Sequence, residues 1–417
     1  MANQLTAGCC IVGGGPCGMM LGYLLARAGV EVVVLEKHAD FLRDFRGDTI
    51  HPSTLELMHE LGLLSDFLAL PHQEVRELKA RFGDIEFIFA DFSHLPTHCK
   101  FIALMPQWDF LNFLSERGRL YPGFRVIMRA EATDLVEEAG AVVGVRANTP
   151  DGALELRSPL VVGCDGRHSL VRHKAGLEVE NFGAPMDVLW FRVSRKPGDP
   201  AEAMGLFEAG HIFVMINRGD YWQCGYVIPK GSFEEVRRRG LTQFCAQLAR
   251  TMPLFTDRVG ELASWDQIKL LTVAVDRLKR WYRRGLICIG DAAHAMSPVG
   301  GVGINLAVQD AVAAANILAE PLLAGAVGEG LLRRVQKRRE FPTRVIQRAQ
   351  VLVQERVITG VLGQREEIKP PLLVKLLWAV PMLRRIPARI LGIGIRPEHI
   401  RTPERPAAAK PGGVWQK

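Results

Sequence analysis

The stretch Cys9-Cys10-Ile11-Val12-Gly13-Gly14-Gly15-Pro16-Cys17-Gly18 decides the fold of this 417-residue chain. Four apolar residues typical of a buried strand run into glycines at positions 13, 15 and 18, which satisfy G-x-G-x-x-G. A helix-forming run follows, and a second apolar run, Val32–Leu35, ends at Glu36. In such a unit the glycines allow a tight turn and the approach of a pyrophosphate, the helix N-terminus binds phosphate, and the acidic residue binds a ribose. We therefore predict an α/β fold with a Rossmann-like dinucleotide-binding domain.

Two later segments also show a buried strand that ends in glycine and aspartate. One continues into Gly163-Cys164-Asp165-Gly166-Arg167-His168-Ser169, and the other into Gly290-Asp291-Ala292-Ala293-His294. Downstream, Ser297-Pro298-Val299-Gly300-Gly301-Val302-Gly303 leads into a helix predicted from about Ile304 to Leu318. Glycines let a backbone lie close to a flat ring, and the positive end of a helix dipole stabilises negative charge there.

The three motifs, in this order, resemble those of the para-hydroxybenzoate hydroxylase family, the single-component (group A) aromatic hydroxylases, over roughly residues 8 to 320. The resemblance implies an FAD cofactor, NADH or NADPH as a transient reductant, and dioxygen. It also implies that a flavin C4a-hydroperoxide hydroxylates a small aromatic or phenolic molecule. Rival functions are another flavin oxygenation, such as epoxidation or Baeyer-Villiger insertion, and a geranylgeranyl-reductase-like oxidoreductase.

The resemblance also implies roles for single residues. Arg46 would reach the FAD phosphates, Gln107 the ribityl chain and Asp291 a ribityl hydroxyl. Asp165-Gly166 matches a motif that is linked in this family to both FAD and NAD(P)H, in which Asp165 would act mainly by fixing its loop. Pro298 is the one residue with a predicted catalytic role, because its carbonyl lies where the family holds the peroxide. His168 and His294 are predicted to anchor loops. The full predicted cofactor-binding set is Gly13, Gly15, Pro16, Gly18, Glu36, Lys37, Arg46, Gln107, Asp165, Gly290, Asp291, Pro298, Gly301, Gly303, Ile304 and Asn305.

A strand-rich segment interrupts this layer and predicts an inserted mixed or antiparallel β-sheet that forms a substrate domain. The predicted domains are residues 1–74, 100–181 and 273–345 for FAD, 75–99 and 182–272 for the substrate, and 346–417 for a helical C-terminal segment. Alternation along the strand at 211–217 places three side chains on one face, which we expect to face the pocket. The predicted substrate residues are His211, Phe213, Met215 and Tyr226. The alternative for His211 is a solvent-facing position, and Trp190 and Trp222 are predicted core aromatics.

Composition narrows the function classes. The net charge of +7 lies mostly on helical or tail segments without interleaved aromatics, so we predict no nucleic-acid partner. The eight cysteines show no metal-ligand spacing, so we predict no metal site. The N-terminus lacks the charged region of a signal peptide, and no long uncharged apolar run occurs, which favours a cytoplasmic protein.

The tail carries a helical apolar stripe between residues 372 and 383, flanked by Arg384, Arg385 and Arg389. Three readings of this stripe remain open. It contacts a membrane peripherally, pairs with a second subunit, or packs on the flavin domain. The chain is accordingly predicted to be a monomer or a homodimer.

Overall fold

The computed structural model describes residues 3–42, 49–83, 85–200, 204–208, 210–363 and 372–405. The described strands are β1 (Asn3–Thr6), β2 (Cys9–Val12), β3 (Val32–Glu36), β4 (Thr49–Ile50), β5 (Gln73–Val75), β6 (Glu77–Phe82), β7 (Ile85–Asp91), β8 (Ile102–Leu104), β9 (Phe124–Met128), β10 (Glu131–Glu138), β11 (Ala141–Thr149), β12 (Gly152–Arg157), β13 (Val161–Gly163), β14 (Val179–Asn181), β15 (Met186–Ser194), β16 (Met204–Glu208), β17 (His211–Asn217), β18 (Tyr221–Pro229), β19 (Lys269–Leu271), β20 (Asp276–Leu278), β21 (Tyr282–Arg283) and β22 (Leu286–Cys288). The described α-helices are α1 (Pro16–Arg27), α2 (Pro52–Glu60), α3 (Leu64–Leu68), α4 (Gln107–Gly118), α5 (Leu170–Lys174), α6 (Phe233–Arg239), α7 (Leu241–Thr251), α8 (Gly303–Leu323), α9 (Glu329–Val353), α10 (Thr359–Gly363), α11 (Leu372–Ala379) and α12 (Arg385–Gly392).

A six-stranded sheet, here called the parallel sheet, has the order β21-β22-β13-β2-β3-β9. Its strands run parallel except for β21 at one edge. Strand β2 is buried along its whole length, and α1 packs against α4 and α8 on the sheet. Burial on both faces explains why these strands are continuous apolar runs without alternation. The predicted Rossmann-like layer is confirmed.

A second, seven-stranded sheet, here called the inserted sheet, has the order β19-β15-β18-β17-β16-β6-β7. Neighbouring strands are antiparallel except for β16 and β6, which are parallel. Segments from before and after α4 therefore share one sheet, and the predicted mixed sheet is confirmed. Helix α7 covers one of its faces through Phe244 and Leu248, and Phe233 and Val236 of α6 pack against the same cluster. The domain boundaries themselves stay predictions.

The C-terminal region extends from α9 through a π-helical turn, Gln354–Ile358, to α10. After α12, residues 393–405, here called the C-terminal strap, return across the parallel layer. The Ile400 amide donates to Glu60 Oε2 over 2.7 Å, and the Arg405 amide donates to the Arg27 carbonyl over 2.9 Å. The strap therefore packs on the flavin layer, whereas α11, which carries the apolar stripe, contacts β7 of the inserted sheet.

One helical stretch among the described residues, Val299–Leu323, is long and apolar enough to cross a membrane. Most of its apolar window, 78%, is buried inside the fold. This burial is typical of the core helix of a globular domain.

Candidate functional site: a flavin cradle at one sheet edge

Three adjacent strands of the parallel sheet bring the three motifs to one edge. Val161 is level with Cys10 on one side and with Leu286 on the other, so β2, β13 and β22 end together. The Cys164 amide donates to the Val12 carbonyl over 2.7 Å, and the Ile289 amide donates to the Gly163 carbonyl over 3.0 Å. The carboxyl ends of parallel strands are the usual ligand-binding edge of such sheets.

The glycine turn has room on one side only. A Cβ at Gly13 would lie 2.4 Å from the Cys164 carbonyl oxygen, and one at Gly18 would lie 2.0 Å from the Gly13 carbonyl oxygen. A Cβ at Gly15, in contrast, would meet nothing within 4 Å. Gly15 is also the N-cap of α1, whose first turn begins with Pro16 and has no side-chain cap. Two glycines thus close the turn, while Gly15 leaves open space at a helix N-terminus, which fits a pyrophosphate.

Glu36 is buried at the end of β3, beside this turn. Its Oε2 accepts the Gly14 amide over 2.9 Å, and its Oε1 accepts the His38 amide over 3.0 Å. The carboxylate is therefore fixed next to the glycine turn, where a ribose would lie. Lys37, the next residue, is exposed.

Asp165 organises the second motif. Its Oδ1 accepts the Ser169 hydroxyl over 2.5 Å, and its Oδ2 accepts the Val171 amide over 3.1 Å. Burial raises the pKa of Asp165, and these hydrogen bonds oppose that shift. The side chain holds the loop before α5, and His168 in that loop is exposed.

The third motif rests on a buried ionic network. Asp310 Oδ2 lies 2.6 Å from His294 Nε2 and accepts the Gly290 amide over 3.1 Å. Arg339 donates from Nε to Asp310 Oδ1 over 2.9 Å and from Nη1 to Glu398 Oε1 over 3.1 Å. Burial alone would raise the pKa of Asp310, but its contacts with His294 and Arg339 lower that pKa below its ordinary value. His294 thus lies in the network that anchors this loop.

The side chain of Asp291 projects from that anchored loop. It is half-buried, and its Oδ2 lies 3.8 Å from Arg167 Nη2 of the second motif. A Cβ at Gly290 would meet Cys17 of α1 at 3.1 Å and Ala307 of α8 at 3.3 Å. The start of α1, the Asp291 loop and the start of α8 therefore converge.

Residues 297–303, here called the glycine loop, precede α8. Gln350 Nε2 donates to the Ser297 carbonyl over 2.9 Å and to the Val299 carbonyl over 2.8 Å, which fixes the half-buried Pro298 between them. Gly300 and Gly301 have φ of +80° and +62°, a backbone region that disfavours side chains. Gly303 begins α8, which has no side-chain cap and no acidic residue in its first turn. The first turn of α8 therefore places no carboxylate of its own at the positive end of the helix, near the glycine loop.

Two residues of the predicted cofactor-binding set, Asn305 and Ile304, have side chains that contact the protein itself. A third residue of the set lies outside the described residues. Asn305 Oδ1 accepts the His51 amide over 3.0 Å and the Thr54 hydroxyl over 2.7 Å, so its side chain serves the protein. Ile304, beside it, is buried in the core. Gln107 is the half-buried first residue of α4. Arg46 falls outside the described residues.

The orientation predicted for β17 is wrong. Alternation is correct, but Phe213, Met215 and Tyr226 are buried on the face that α7 covers, away from the glycine loop. Tyr226 Oη lies 2.8 Å from His211 Nδ1, and Gln247 Nε2 of α7 lies 2.9 Å from His211 Nε2. Burial lowers the pKa of His211 and raises that of Tyr226 to about 12. These side chains form a polar contact inside a sheet–helix interface.

The opposite face of the inserted sheet meets the glycine loop. Val188, Ile212 and Val227 share an apolar cluster with Val299 and with Ile358 of the π-helical turn. Trp190 lies on this face, and its buried Nε1 has no hydrogen-bond partner among the described residues. A Cβ at Gly225 would lie 3.2 Å from the Trp190 ring, so the glycine lets the ring lie against the sheet. Trp222, on the other face, is a fully buried core aromatic as predicted.

A model of protein families described as an FAD binding domain matches residues 6–349. This chain belongs to that FAD-binding family. It is 32% identical over 386 residues to 6-methylpretetramide 4-monooxygenase of Streptomyces rimosus, with 91% of each chain covered. It is 27% identical to para-nitrophenol 4-monooxygenase of a Pseudomonas species, with 76% of this chain and 78% of the relative covered.

The solved structure of p-nitrophenol 4-monooxygenase from Pseudomonas putida shows the same fold, with a TM-score of 0.75 and 22% identity. The alignment covers 94% of this chain and 99% of that one. The protein is an FAD-dependent monooxygenase, and the family resemblance expected from the three motifs is confirmed.

Proposed function

We propose that this member of the FAD-binding family uses NADH or NADPH and dioxygen to hydroxylate a phenolic ring of a small aromatic molecule. The observation that carries the proposal is the convergence of three distant segments at one sheet edge, opposite an apolar sheet face that reaches Val299. Reduced FAD, when bound, supplies the activation of dioxygen. The chain supplies position, charge and exclusion of water.

The cradle residues have distinct tasks in this proposal. The uncapped N-terminus of α1, at Gly15, holds the diphosphate, and the Glu36 carboxylate accepts hydrogen bonds from the adenosine ribose. Asp291 accepts a hydroxyl of the ribityl chain, and Arg46 and Lys37 add positive charge near the phosphates. The uncapped N-terminus of α8 stabilises negative charge on the isoalloxazine ring of FAD. The carbonyl of Pro298 lies beside the position at which the substrate is hydroxylated.

The substrate lies against the face that carries Trp190. The indole N–H is a buried donor whose lack of a partner costs free energy unless a ligand supplies an acceptor. A phenolic oxygen is such an acceptor, and accepting this hydrogen bond favours the phenolate, the more nucleophilic form. The apolar residues around it, Val188, Ile212 and Val299, exclude water from the reacting atoms.

The names of the relatives suggest two substrate sizes. One acts on 6-methylpretetramide and the other on para-nitrophenol. Since the first relative covers more of this chain at higher identity, we propose a polycyclic, polyketide-like phenol. The experiment compares substrate-stimulated oxygen uptake and flavin bleaching for polycyclic phenols and for para-nitrophenol. Turnover that proceeds anaerobically would contradict monooxygenation and favour a reductase.

We further propose a cytoplasmic monomer or homodimer that contacts membranes peripherally through α11 and α12. Trp378, Met382 and Ile386 are each more than half exposed, next to Arg384 and Arg385. Exposed apolar side chains flanked by cations are typical of interfacial segments. Flotation with vesicles that contain phosphatidylglycerol tests this contact, and equal flotation of the wild type and a Trp378→Ser/Met382→Ser variant would contradict it.

A further inference from the structure

A cavity of about 420 Å³ lies between α8, α9 and the C-terminal strap. No residue of the glycine turn, the Asp165 loop, the Asp291 loop or the glycine loop lines it. Five cations and one carboxylate do: Arg334, Lys337, Arg338, Arg396, Arg401 and Glu398. The cavity is therefore separate from the flavin cradle and strongly positive.

Most of this positive charge has no counter-charge among the residues that the structure describes. Glu398 is the one acidic lining residue, and it lies 2.6 Å from Arg338 and 3.1 Å from the buried Arg339. The other four cations form no ion pair with another described residue. Like charges around a concave surface repel one another, and a bound anion relieves that repulsion.

The four cations without an ion pair have exposed side chains, but the backbone that carries them is held in place. Arg334, Lys337 and Arg338 follow the i, i+3, i+4 spacing that places side chains on one helix face. Arg396 and Arg401 belong to the C-terminal strap, which is hydrogen-bonded to α8. The Arg401 amide donates to Asn316 Oδ1 over 2.9 Å, and Asn316 Nδ2 donates to the His399 carbonyl over 2.8 Å. The Arg396 carbonyl accepts a hydrogen bond from Arg339 over 3.0 Å. Because this backbone is already ordered, binding an anion has to order only the side chains.

We propose that this cavity binds a phosphate-bearing anion. The planar fork of arginine matches the oxygens of phosphate in a bidentate manner, and a lysine adds a point charge. The volume is within the range of small-ligand sites, about 300 Å³ and upward. Ala313 and Ile317 give it an apolar floor that fits the organic part of a phosphate ester. The chemistry is shared by soluble phosphate esters and phospholipid headgroups.

The experiment uses the FAD-loaded full-length protein, so that the cradle for the cofactor's own diphosphate is filled. Inorganic pyrophosphate is titrated by calorimetry at constant ionic strength, and vesicles of phosphatidylglycerol are tested in parallel by flotation. The cavity variant is Arg334→Gln/Lys337→Gln. The matched control is Arg237→Gln/Arg238→Gln, which removes two charges from exposed positions on α6.

We expect pyrophosphate to bind the wild type and the control alike, and the cavity variant at least about tenfold more weakly, since each lost charge-assisted hydrogen bond weakens binding by that order. Vesicle flotation lost in the cavity variant alone, without pyrophosphate binding, would support the phosphate site with a lipid headgroup as its source. Equal pyrophosphate binding and equal flotation of all three proteins would overturn the proposal.

Stability separates binding from a structural role of the same cations. Because Arg334 and Lys337 repel their neighbours, the ligand-free cavity variant should unfold at the same temperature as the wild type or slightly above it. A melting temperature lowered by several degrees would show that these cations stabilise the fold and would contradict the proposal.

Discussion

The parallel sheet and the inserted sheet present functional groups in different ways. At the edge of the parallel sheet the groups are largely backbone: the open amides at Gly15, the uncapped start of α8 and the carbonyl of Pro298. On the inserted sheet they are side chains on one of two faces, such as Trp190 facing Val299 and Phe213 facing α7. A backbone site is set by local conformation, whereas a side-chain site depends on which layer packs on which face. A backbone site is therefore disrupted when a substitution adds a side-chain atom, as Gly→Ala does. A side-chain site is disrupted when one side chain is replaced by another.

The largest effect is expected at the glycine turn. Gly18→Ala places a methyl 2.0 Å from a backbone oxygen and should destabilise the protein by about 3 kcal/mol or more, because backbone atoms must move. Gly15→Ala meets no protein atom and should leave the apoprotein's melting temperature unchanged, yet weaken FAD binding by at least about tenfold, roughly 1.4 kcal/mol. Thermal unfolding of apoprotein and FAD titration measure the two quantities. Equal behaviour of the two variants would contradict the assignment of Gly15 to the phosphate.

The second effect concerns a buried histidine beside the cradle. Burial lowers the pKa of His51 to about 4, and its Nδ1 lies 2.8 Å from the Leu391 carbonyl. The unfolded chain binds a proton near pH 6.5 and the folded chain only near pH 4, so stability is full above about pH 6.5 and falls as the pH drops toward 4. The loss from this group is about 3 kcal/mol in order of magnitude.

The His51→Gln variant should therefore show a flatter dependence of unfolding free energy on pH between about 6.5 and 4. Denaturant unfolding at a series of pH values measures the slope. His211→Gln, in the inserted sheet, is the comparison. The pKa of His211 is also lowered by burial, but this side chain is less buried, so its variant should flatten the profile less. A larger flattening of the pH dependence by His211→Gln than by His51→Gln would contradict this prediction.

The third effect separates the two faces of the inserted sheet. Trp190→Phe keeps an aromatic ring and removes the unpartnered N–H, so kcat/KM for a phenolic substrate should fall roughly fivefold to tenfold, the worth of about one hydrogen bond. The pH at which kcat/KM rises should shift upward as well, since the phenolate loses a donor. Steady-state kinetics over a pH series measures both. An unchanged profile would remove Trp190 from the substrate site.

The smallest effect is expected on the covered face. Tyr226→Phe removes the contact with His211 and should cost about 1 kcal/mol of stability, with kcat/KM within about twofold of the wild type. Melting temperature and steady-state kinetics on the same preparation give both values. A kinetic loss greater than that of Trp190→Phe would restore the first interpretation of this strand.

Much of the cradle could be predicted because local sequence determines it. The positions of Gly13, Gly15 and Gly18 follow from the geometry of a tight turn. The alternation of side chains predicts the strand at 211–217, which the structure gives as His211–Asn217. Which face of that strand is covered depends on α7, whose apolar residues Phe244 and Leu248 follow helical spacing. That spacing is the signal that sequence reasoning missed.

The ionic network could not be predicted in the same way. Asp310, Arg339 and Glu398 come from α8, α9 and the C-terminal strap, and no spacing relates them. Their contact follows from tertiary packing, which periodicity does not report. The unpartnered N–H of Trp190 also depends on tertiary packing, and the sequence predicts only a core aromatic at this position.

The C-terminal strap has a consequence for how the protein is made. Arg27, at the end of the first helix, donates to the Thr402 carbonyl over 2.8 Å, and Tyr121 donates to Glu404 over 2.8 Å. The partners in these contacts are 375 and 283 residues apart in the chain, so a ribosome delivers the strap long after the residues that it contacts. Until α8 and then the strap have been synthesised, the nascent N-terminal unit lacks these packing partners, and transiently exposed apolar surface of this kind is prone to aggregation. Because the start of α8 forms part of the flavin cradle, the complete cradle exists only after α8 has been synthesised.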